Sequence, residues 1–136
     1  MLVRDLMTSS VSVLQPDAPI SAAVKIMRSE NVGVVPVCDI QNHVLGIITD
    51  RDIIMRMPSS ADTKAESVMS RDIVCANAKD DIHDAALLMS KHAVHRLPVL
   101  ENEKLVGMLS LKDLAKKRIF IAEIGHIIYE LSNRQD

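Results

Sequence analysis

A chain of 136 residues with a net charge of −2 holds the material of one compact domain. Hydrophobic residues make up 48% of it, but Phe120 and Tyr129 are its only Phe and Tyr and Trp is absent, so the core has to be built from Val, Ile, Leu, Met and Ala. That balance argues against nucleic acid as the main partner, because its readers present a basic face or stacking rings, and no apolar run nears the roughly 18 residues of a membrane span.

Residues 11–14 read as a short strand that ends in the turn Pro16-Asp17-Ala18-Pro19. Pro19 suits the first turn of a helix, where its missing N–H costs nothing. Ile20, Ala23, Val24 and Met27 then follow at i, i+3, i+4 and i+7, an apolar helical stripe. Asn31-Val32-Gly33 closes that helix, since Asn and Gly accept the left-handed conformation. Residues 34–38 and 44–49 are β-branched runs around Asp39-Ile40-Gln41-Asn42, a hairpin signal. A second helix is expected from after Thr49 to about Arg56, and Pro58-Ser59-Ser60-Ala61-Asp62 reads as a linker.

The second half repeats this β-α-β-β-α order. Residues 74–76 are the expected strand, Asp80 the expected cap of a helix using Ile82, Ala85, Ala86 and Met89, and residues 97–100 and 105–109 the hairpin. The last helix is expected to run from after Ser110 to about Ser132. In its tail Ile121, Ile124, Ile127, Ile128 and Leu131 share one face, either packed on the domain or left for a dimer contact. Met55, Met57 and Met108 read as core or interface filler.

Laid side by side, the halves coincide. Gly46-Ile47-Ile48-Thr49-Asp50-Arg51-Asp52-Ile53 returns as Gly107-Met108-Leu109-Ser110-Leu111-Lys112-Asp113-Leu114, and Val35-Pro36-Val37 returns as Leu97-Pro98-Val99. Met7, Ile20 and Met27 return as Met69, Ile82 and Met89, with an offset that holds to Pro36/Pro98 and is one residue shorter by Gly46/Gly107. One residue has therefore dropped out of the turn after Asp39/Glu101. Neither repeat is long enough to bury a sufficient core alone, so a pseudo-twofold arrangement is expected, with the boundaries 1–57, linker 58–64, 65–118 and a helical extension 119–136.

Thr49 and Ser110 stand where a strand turns into a helix, at or near an N-cap. Free N–H groups at such a helix start would favour an anion such as phosphate. Asp52 and Asp113, one turn on, could accept both adjacent hydroxyls of a ribose. The same spacing also reads as a capping box, in which the acidic residue only satisfies the helix start. His95 and Arg96 are the best phosphate ligands by charge, Arg giving a planar fork, though an ordinary solvent-facing strand edge fits them too. Lys112 and Arg51 lie inside each loop and could reach a phosphate tail. No zinc-type spacing and no nucleophile-base arrangement is visible, so neither a metal site nor an enzyme is expected.

The Gly-hydrophobic-hydrophobic-Thr/Ser-x-x-Asp motif, following hydrophobic-Pro-Val in a β-α-β-β-α unit, resembles the CBS (cystathionine-β-synthase) domain, and two in tandem resemble a Bateman module. Val94-His95-Arg96-Leu97-Pro98-Val99 is similar to a phosphate-contacting segment of the gamma subunit of AMP-activated protein kinase. The resemblance implies an α+β fold: two CBS repeats with their sheets packed together, helices outside, and here an extra C-terminal helix. It also implies composite sites in the clefts between repeats. Ser110 and Asp113 would face Ser12, Val13, Val32, Gly33, Val34 and Pro36, and Thr49 and Asp52 would face Val74, Cys75, Val94, His95 and Pro98. Gly33 and Val34 stand where the other repeat has His95 and Arg96, so the two clefts are unequal.

The function so implied is a non-catalytic sensor that binds AMP, ADP or ATP, with or without Mg, needs no catalytic cofactor, and signals to an effector protein. A homodimer is the expected assembly. The alternatives are an interaction scaffold with empty clefts, or a binder of S-adenosylmethionine or a dinucleotide. The start of the chain lacks the pattern of a secretory signal, and Cys38 and Cys75, without partner spacing, fit a reducing compartment, so the expected location is the cytoplasm.

Overall fold

The computed structural model describes residues 1–56 and 58–133, so Met57 lies outside the described residues. In chain order the elements are α1 (Val3–Leu6), α2 (Ile20–Glu30), β1 (Val34–Cys38), β2 (Val44–Thr49), α3 (Asp50–Arg56), β3 (Ala76–Asn77), α4 (Ile82–His92), β4 (Arg96–Glu101), β5 (Lys104–Ser110), α5 (Leu111–Leu114) and α6 (Ile121–Ser132). Single 3₁₀ turns at Ala65–Ser67 and Arg118–Phe120 complete them.

The chain forms two compact units that do not coincide with the sequence repeats. One is continuous, Ser12–Ile73; the other is discontinuous and joins Met1–Val11 to the chain from Val74 onward. The backbone shows how the amino-terminal segments are exchanged. In the discontinuous unit Leu2 bridges Asp81 and Ile82 N–H donates to Met1 O at 3.0 Å. In the continuous unit the repeat-equivalent residues do the same: Lys64 bridges Pro19, and Ile20 N–H donates to Thr63 O at 2.8 Å. Each repeat's leading segment thus completes the unit that holds the other repeat's body.

Within the continuous unit β1 and β2 pair antiparallel, with Val34 opposite Thr49 and Pro36 opposite Ile47. Leu14 bridges Val37 on one edge and Ser70 bridges Ile47 on the other. The discontinuous unit has the same order: Thr8, β5, β4 and β3. The strand expected over residues 11–14 shrinks to the Leu14 bridge, and the one over 74–76 to a two-residue strand. The cause is Pro36 and Pro98. Leu14 N–H donates to Pro36 O and Cys38 N–H to Leu14 O, but the next bond back along the ladder would need a proline N–H that does not exist.

Helix α2 buries Ile20 and Ala23 and ends at Asn31 in the left-handed region, as the sequence implies. Helix α4 buries Ile82, Ala85, Ala86 and Met89, but its cap is Asp81, whose side chain accepts the His83 N–H at 2.8 Å. The expected cap, Asp80, instead accepts the Asn77 N–H at 2.8 Å and closes the preceding turn. The residue lost between repeats comes from the hairpin loop: the β4–β5 turn has both Asn102 and Glu103 at positive φ, the tight two-residue form. The β1–β2 loop is longer and is held by Asp39, which accepts the Gln41 and His43 N–H groups at 2.9 Å. These bonds, the His43 N–H first, hold the Asp39 carboxyl below its usual range.

The last helix is not continuous. Helix α5 stops at Leu114, a 3₁₀ turn carries the buried Phe120, and α6 begins at Ile121. Along one helix the stripe through Leu114 would run into Lys117 and Arg118, whereas Phe120, Ile124, Ile127 and Leu131 make a stripe of different phase. Breaking the helix lets both reach the core. Of the expected tail face, Ile127 is buried and Ile124 and Leu131 pack against the core, while Ile121 and Ile128 stay exposed. Met55 is exposed and not core filler, and Met108 is half-buried.

Cys38 and Cys75 are both free thiols. Burial, with help from the Asp39 charge, pushes the Cys38 thiol from 9.0 to about 11, and burial raises Cys75 as well. Because the folded chain holds the Cys38 proton more tightly than the unfolded chain does, this group's stabilisation is complete below pH 9 and is lost as pH rises from 9 towards 11. Denaturant unfolding between those pH values should show a fall in stability that is shallower in Cys38→Ala. Parallel slopes would rule this thiol out as a source.

Candidate functional site

Both Thr/Ser-x-x-Asp motifs sit where a strand's last residue becomes a helix cap. In the continuous unit Thr49 Oγ1 accepts the Asp52 N–H at 2.9 Å, and Asp52 Oδ2 accepts the Thr49 N–H at 3.0 Å. In the other unit Ser110 Oγ accepts the Asp113 N–H at 3.2 Å, and Asp113 Oδ2 accepts the Ser110 N–H at 2.9 Å. Both are complete capping boxes.

This pairing changes the expected chemistry at the helix starts. Several of the N–H groups anticipated as free for an anion are used: Asp50 donates to Gly33 O at 3.0 Å, Arg51 to Asp50 Oδ1 at 2.8 Å, and Leu111 to His95 O at 3.0 Å. The same bonds gather site residues within each unit. Gly33 and Val34 lie against Asp50 and Thr49, and His95 and Arg96 against Leu111 and Ser110, with Arg96 directly opposite Ser110.

The remaining expected residues are placed as follows. Pro36 and Pro98 are buried in β1 and β4. Ser12 and Val13 precede the Leu14 bridge in the continuous unit, where Val13 is exposed and the Ser12 hydroxyl donates to the Glu30 carboxylate. Val74 and Cys75 are half-buried just before β3, and Val94 is half-buried before β4. Arg51, Lys112 and His95 are exposed, and Arg96 is half-buried. Among the described residues no group of three or more His, Cys, Asp or Glu side chains is placed to hold a metal, and no helix is long and apolar enough to cross a membrane.

Two residues at the motifs lie outside the sequence expectations. The Ser70 hydroxyl donates to Asp52 Oδ1 at 2.9 Å, and the Thr8 hydroxyl donates to Asp113 Oδ1 at 3.1 Å. Thr8 and Ser70 follow Met7 and Met69, so they occupy equivalent repeat positions. Aligning hydroxyls across the repeats, rather than apolar residues alone, is the signal that reveals them. Each ties a leading segment to a cap, and each adjoins a bridge over the β2 or β5 glycine: Ser70 with Ile47, Thr8 with Met108.

The two carboxylates differ in their surroundings. Asp113 Oδ1 also accepts the Lys116 ammonium at 3.0 Å and Asp113 Oδ2 the Ser110 hydroxyl at 3.1 Å, leaving the side chain 5% exposed. Asp52 has Arg56 Nε at 3.8 Å, outside hydrogen-bond range, and its side chain is 14% exposed.

The chain is similar to known proteins over most of its length. The family model for the CBS domain matches residues 3–59 and 65–119. The CBS domain-containing protein YhcV of Bacillus subtilis is 33% identical over 135 residues, covering 97% of this chain and 96% of its own. The crystal structure of the CBS domain pair of protein MJ0100, in complex with 5-methylthioadenosine and S-adenosyl-L-methionine, has a TM-score of 0.75 at 25% identity and covers 85% of this chain and 94% of that one. The structure of Hypoxic Response Protein I with two coordinated zinc ions has a TM-score of 0.78 at 28% identity, covering 85% and 98%.

Proposed function

The chain belongs to the CBS-domain family, as a tandem pair, and from that membership we propose that it is a non-catalytic sensor which binds an adenine nucleotide, AMP, ADP or ATP, and reports it to an effector protein. Pairs of this family are regulatory ligand-binding modules. The observation that supports an adenosine-type ligand here is the duplicated carboxylate, Asp52 and Asp113, held rigidly by a capping box in each repeat. A carboxylate so fixed can accept the paired hydroxyls of a ribose without an ordering cost of its own. With most of the helix-start N–H groups used, a phosphate tail would depend mainly on side chains, and Arg96 beside Ser110 and Arg51 beside Asp52 are the residues proposed for it, with Lys112 and His95 next. Ser12, Val13, Gly33, Val34, Pro36, Val74, Cys75 and Pro98 are proposed to contact the nucleoside, their aliphatic members flanking the base.

Signalling requires that the ligand prefer one of two arrangements of the protein or its assembly. The exposed Ile121, Ile128 and Tyr129 of α6 are proposed as the contact of a homodimer. Binding of S-adenosylmethionine is the second reading, and the MJ0100 complex favours it.

Calorimetric titration with AMP, ATP and S-adenosylmethionine, each with and without magnesium, tests the proposal. Micromolar binding of a nucleotide is expected, weakened about tenfold or more in Asp52→Asn or Asp113→Asn through loss of a charge-assisted bond. At a hundredfold excess over Kd the ligand should add about 2.7 kcal/mol of stability. Heat with S-adenosylmethionine alone would select the second reading, and no heat with any ligand would leave a scaffold that works through its surface.

A further inference from the structure

We infer that the two motifs are unequal receptors: Asp52 is the carboxylate open to a ribose diol, and Asp113 is closed by Lys116. The inference rests on the proposal that these carboxylates read a ribose, and it adds which of them does so and what decides it.

A carboxylate offers about four lone-pair positions. At Asp113 four donors already point at them: the Ser110 N–H, the Ser110 hydroxyl, the Thr8 hydroxyl and the Lys116 ammonium, all between 2.9 and 3.1 Å. At Asp52 two hydrogen-bond donors are in place, the Thr49 N–H and the Ser70 hydroxyl. Among the described residues no other hydrogen-bond donor reaches Asp52, so two positions stay open there, and a vicinal diol supplies two O–H groups. Exposure agrees with the count, since the Asp52 side chain is 14% exposed and that of Asp113 5%.

The difference has two sources, the Ser110 hydroxyl, which donates to Asp113 where Thr49 only accepts from Asp52, and an aligned cation. Lys116 corresponds in the first repeat to Met55, which has no charge to offer and points into solvent. A diol arriving at Asp113 must displace an ammonium ion that lies at hydrogen-bond distance. At Asp52 the nearest cation is Arg56 Nε at 3.8 Å on a half-exposed side chain, a pair of little strength. The Asp52 and Asp113 N–H groups take no part in this difference, because each donates to its own cap hydroxyl.

The reciprocal exchange of Lys116 and Met55 tests the assignment, and both positions are exposed, so both variants should fold. Binding of AMP and of S-adenosylmethionine is measured by equilibrium dialysis, which reads stoichiometry per chain. The native protein is expected to bind one equivalent tightly, with affinity falling about tenfold or more in Asp52→Asn and little in Asp113→Asn. Lys116→Met should add a second, weaker equivalent, because one position opens on Asp113 while the Ser110 and Thr8 bonds stay in place, and Met55→Lys should weaken the first equivalent. A Lys116 that only stabilised α5 would alter the unfolding midpoint and leave the stoichiometry at one, overturning the assignment. Two equal equivalents in the native chain, or affinity lost in Asp113→Asn and kept in Asp52→Asn, would also overturn it while leaving the sensor function standing. Binding of neither probe would remove the ribose reading, and this inference with it.

Discussion

Phe120→Ala is expected to lower the free energy of unfolding by about 3–5 kcal/mol. Phe120 is the chain's only Phe and is fully buried, at the end of the 3₁₀ turn that redirects the chain between α5 and α6. Its ring belongs to the core cluster with Leu109, Leu114 and Ile127, and the His83 ring meets it edge-on with centroids 5.3 Å apart. His83 in turn holds Glu123 Oε1 at 3.0 Å, which joins the start of α4 to the start of α6. Removing the ring therefore opens a cavity and loosens the seat of α6 together. Denaturant unfolding measures the loss. A cost below about 1.5 kcal/mol, the size of a small trimming such as Ile→Val, would mean that the tail is a detachable appendage and not part of the unit's core.

Gly46→Ala and Gly107→Ala are each expected to cost about 1–3 kcal/mol or more, through overpacking against backbone. A Cβ on Gly107 would stand 2.7 Å from Thr8 O and 2.8 Å from Met7 Sδ; on Gly46 it would stand 2.6 Å from Ser70 O and 2.9 Å from Met69 Sδ. No described glycine has a positive φ, so these two are required for space rather than for backbone freedom. The methionine sulfur can move aside. The carbonyl cannot, because the same residue is hydrogen-bonded to Ile47 or Met108 in the bridge. Gly125→Ala is the control: nothing lies within 4 Å of its added Cβ in α6, and there alanine should stabilise by about 0.5–1 kcal/mol. If all three substitutions had the same small effect on the thermal midpoint, the close crossing of the leading segments would not be a constraint on this sequence.

Much of this architecture was legible in the residues, and the exceptions have identifiable physical causes. The stripe from Ile20 to Met27 and its copy from Ile82 to Met89 mark helices because burial repeats with the helical period, and Asn31 closes the first as expected. The hairpins follow from their β-branched runs. The choice between Asp80 and Asp81 as cap was not legible, because two adjacent carboxylates differ only in which turn each serves. The interruption after Leu114 carries no Gly or Pro and shows only as a change of phase between two apolar stripes. At the motifs, the sequence presents a capping box and a ribose reader as rivals, whereas in the structure the box bonds occupy one carboxylate oxygen and leave the other to Ser70 or Thr8. The Lys116 bond depends on an i,i+3 reach that pairwise comparison of motifs passes over, since it lies one turn beyond them.

The exchange of leading segments also sets an order of events on the ribosome. All of the continuous unit has been synthesised once the chain reaches Ile73, so it can close while the rest is still being made. The first eleven residues have no such early partner: Thr8 waits for Met108 and Asp113, and Leu2 waits for Asp81. Bringing Thr8 to Met108 closes a loop of about 100 residues, an entropic cost that grows only slowly with length but delays the contact until Met108 has been made. Until then Val3 and Leu6 lack the later residues that bury them, which makes the synthesis of residues 74–113 the nascent chain's most vulnerable interval.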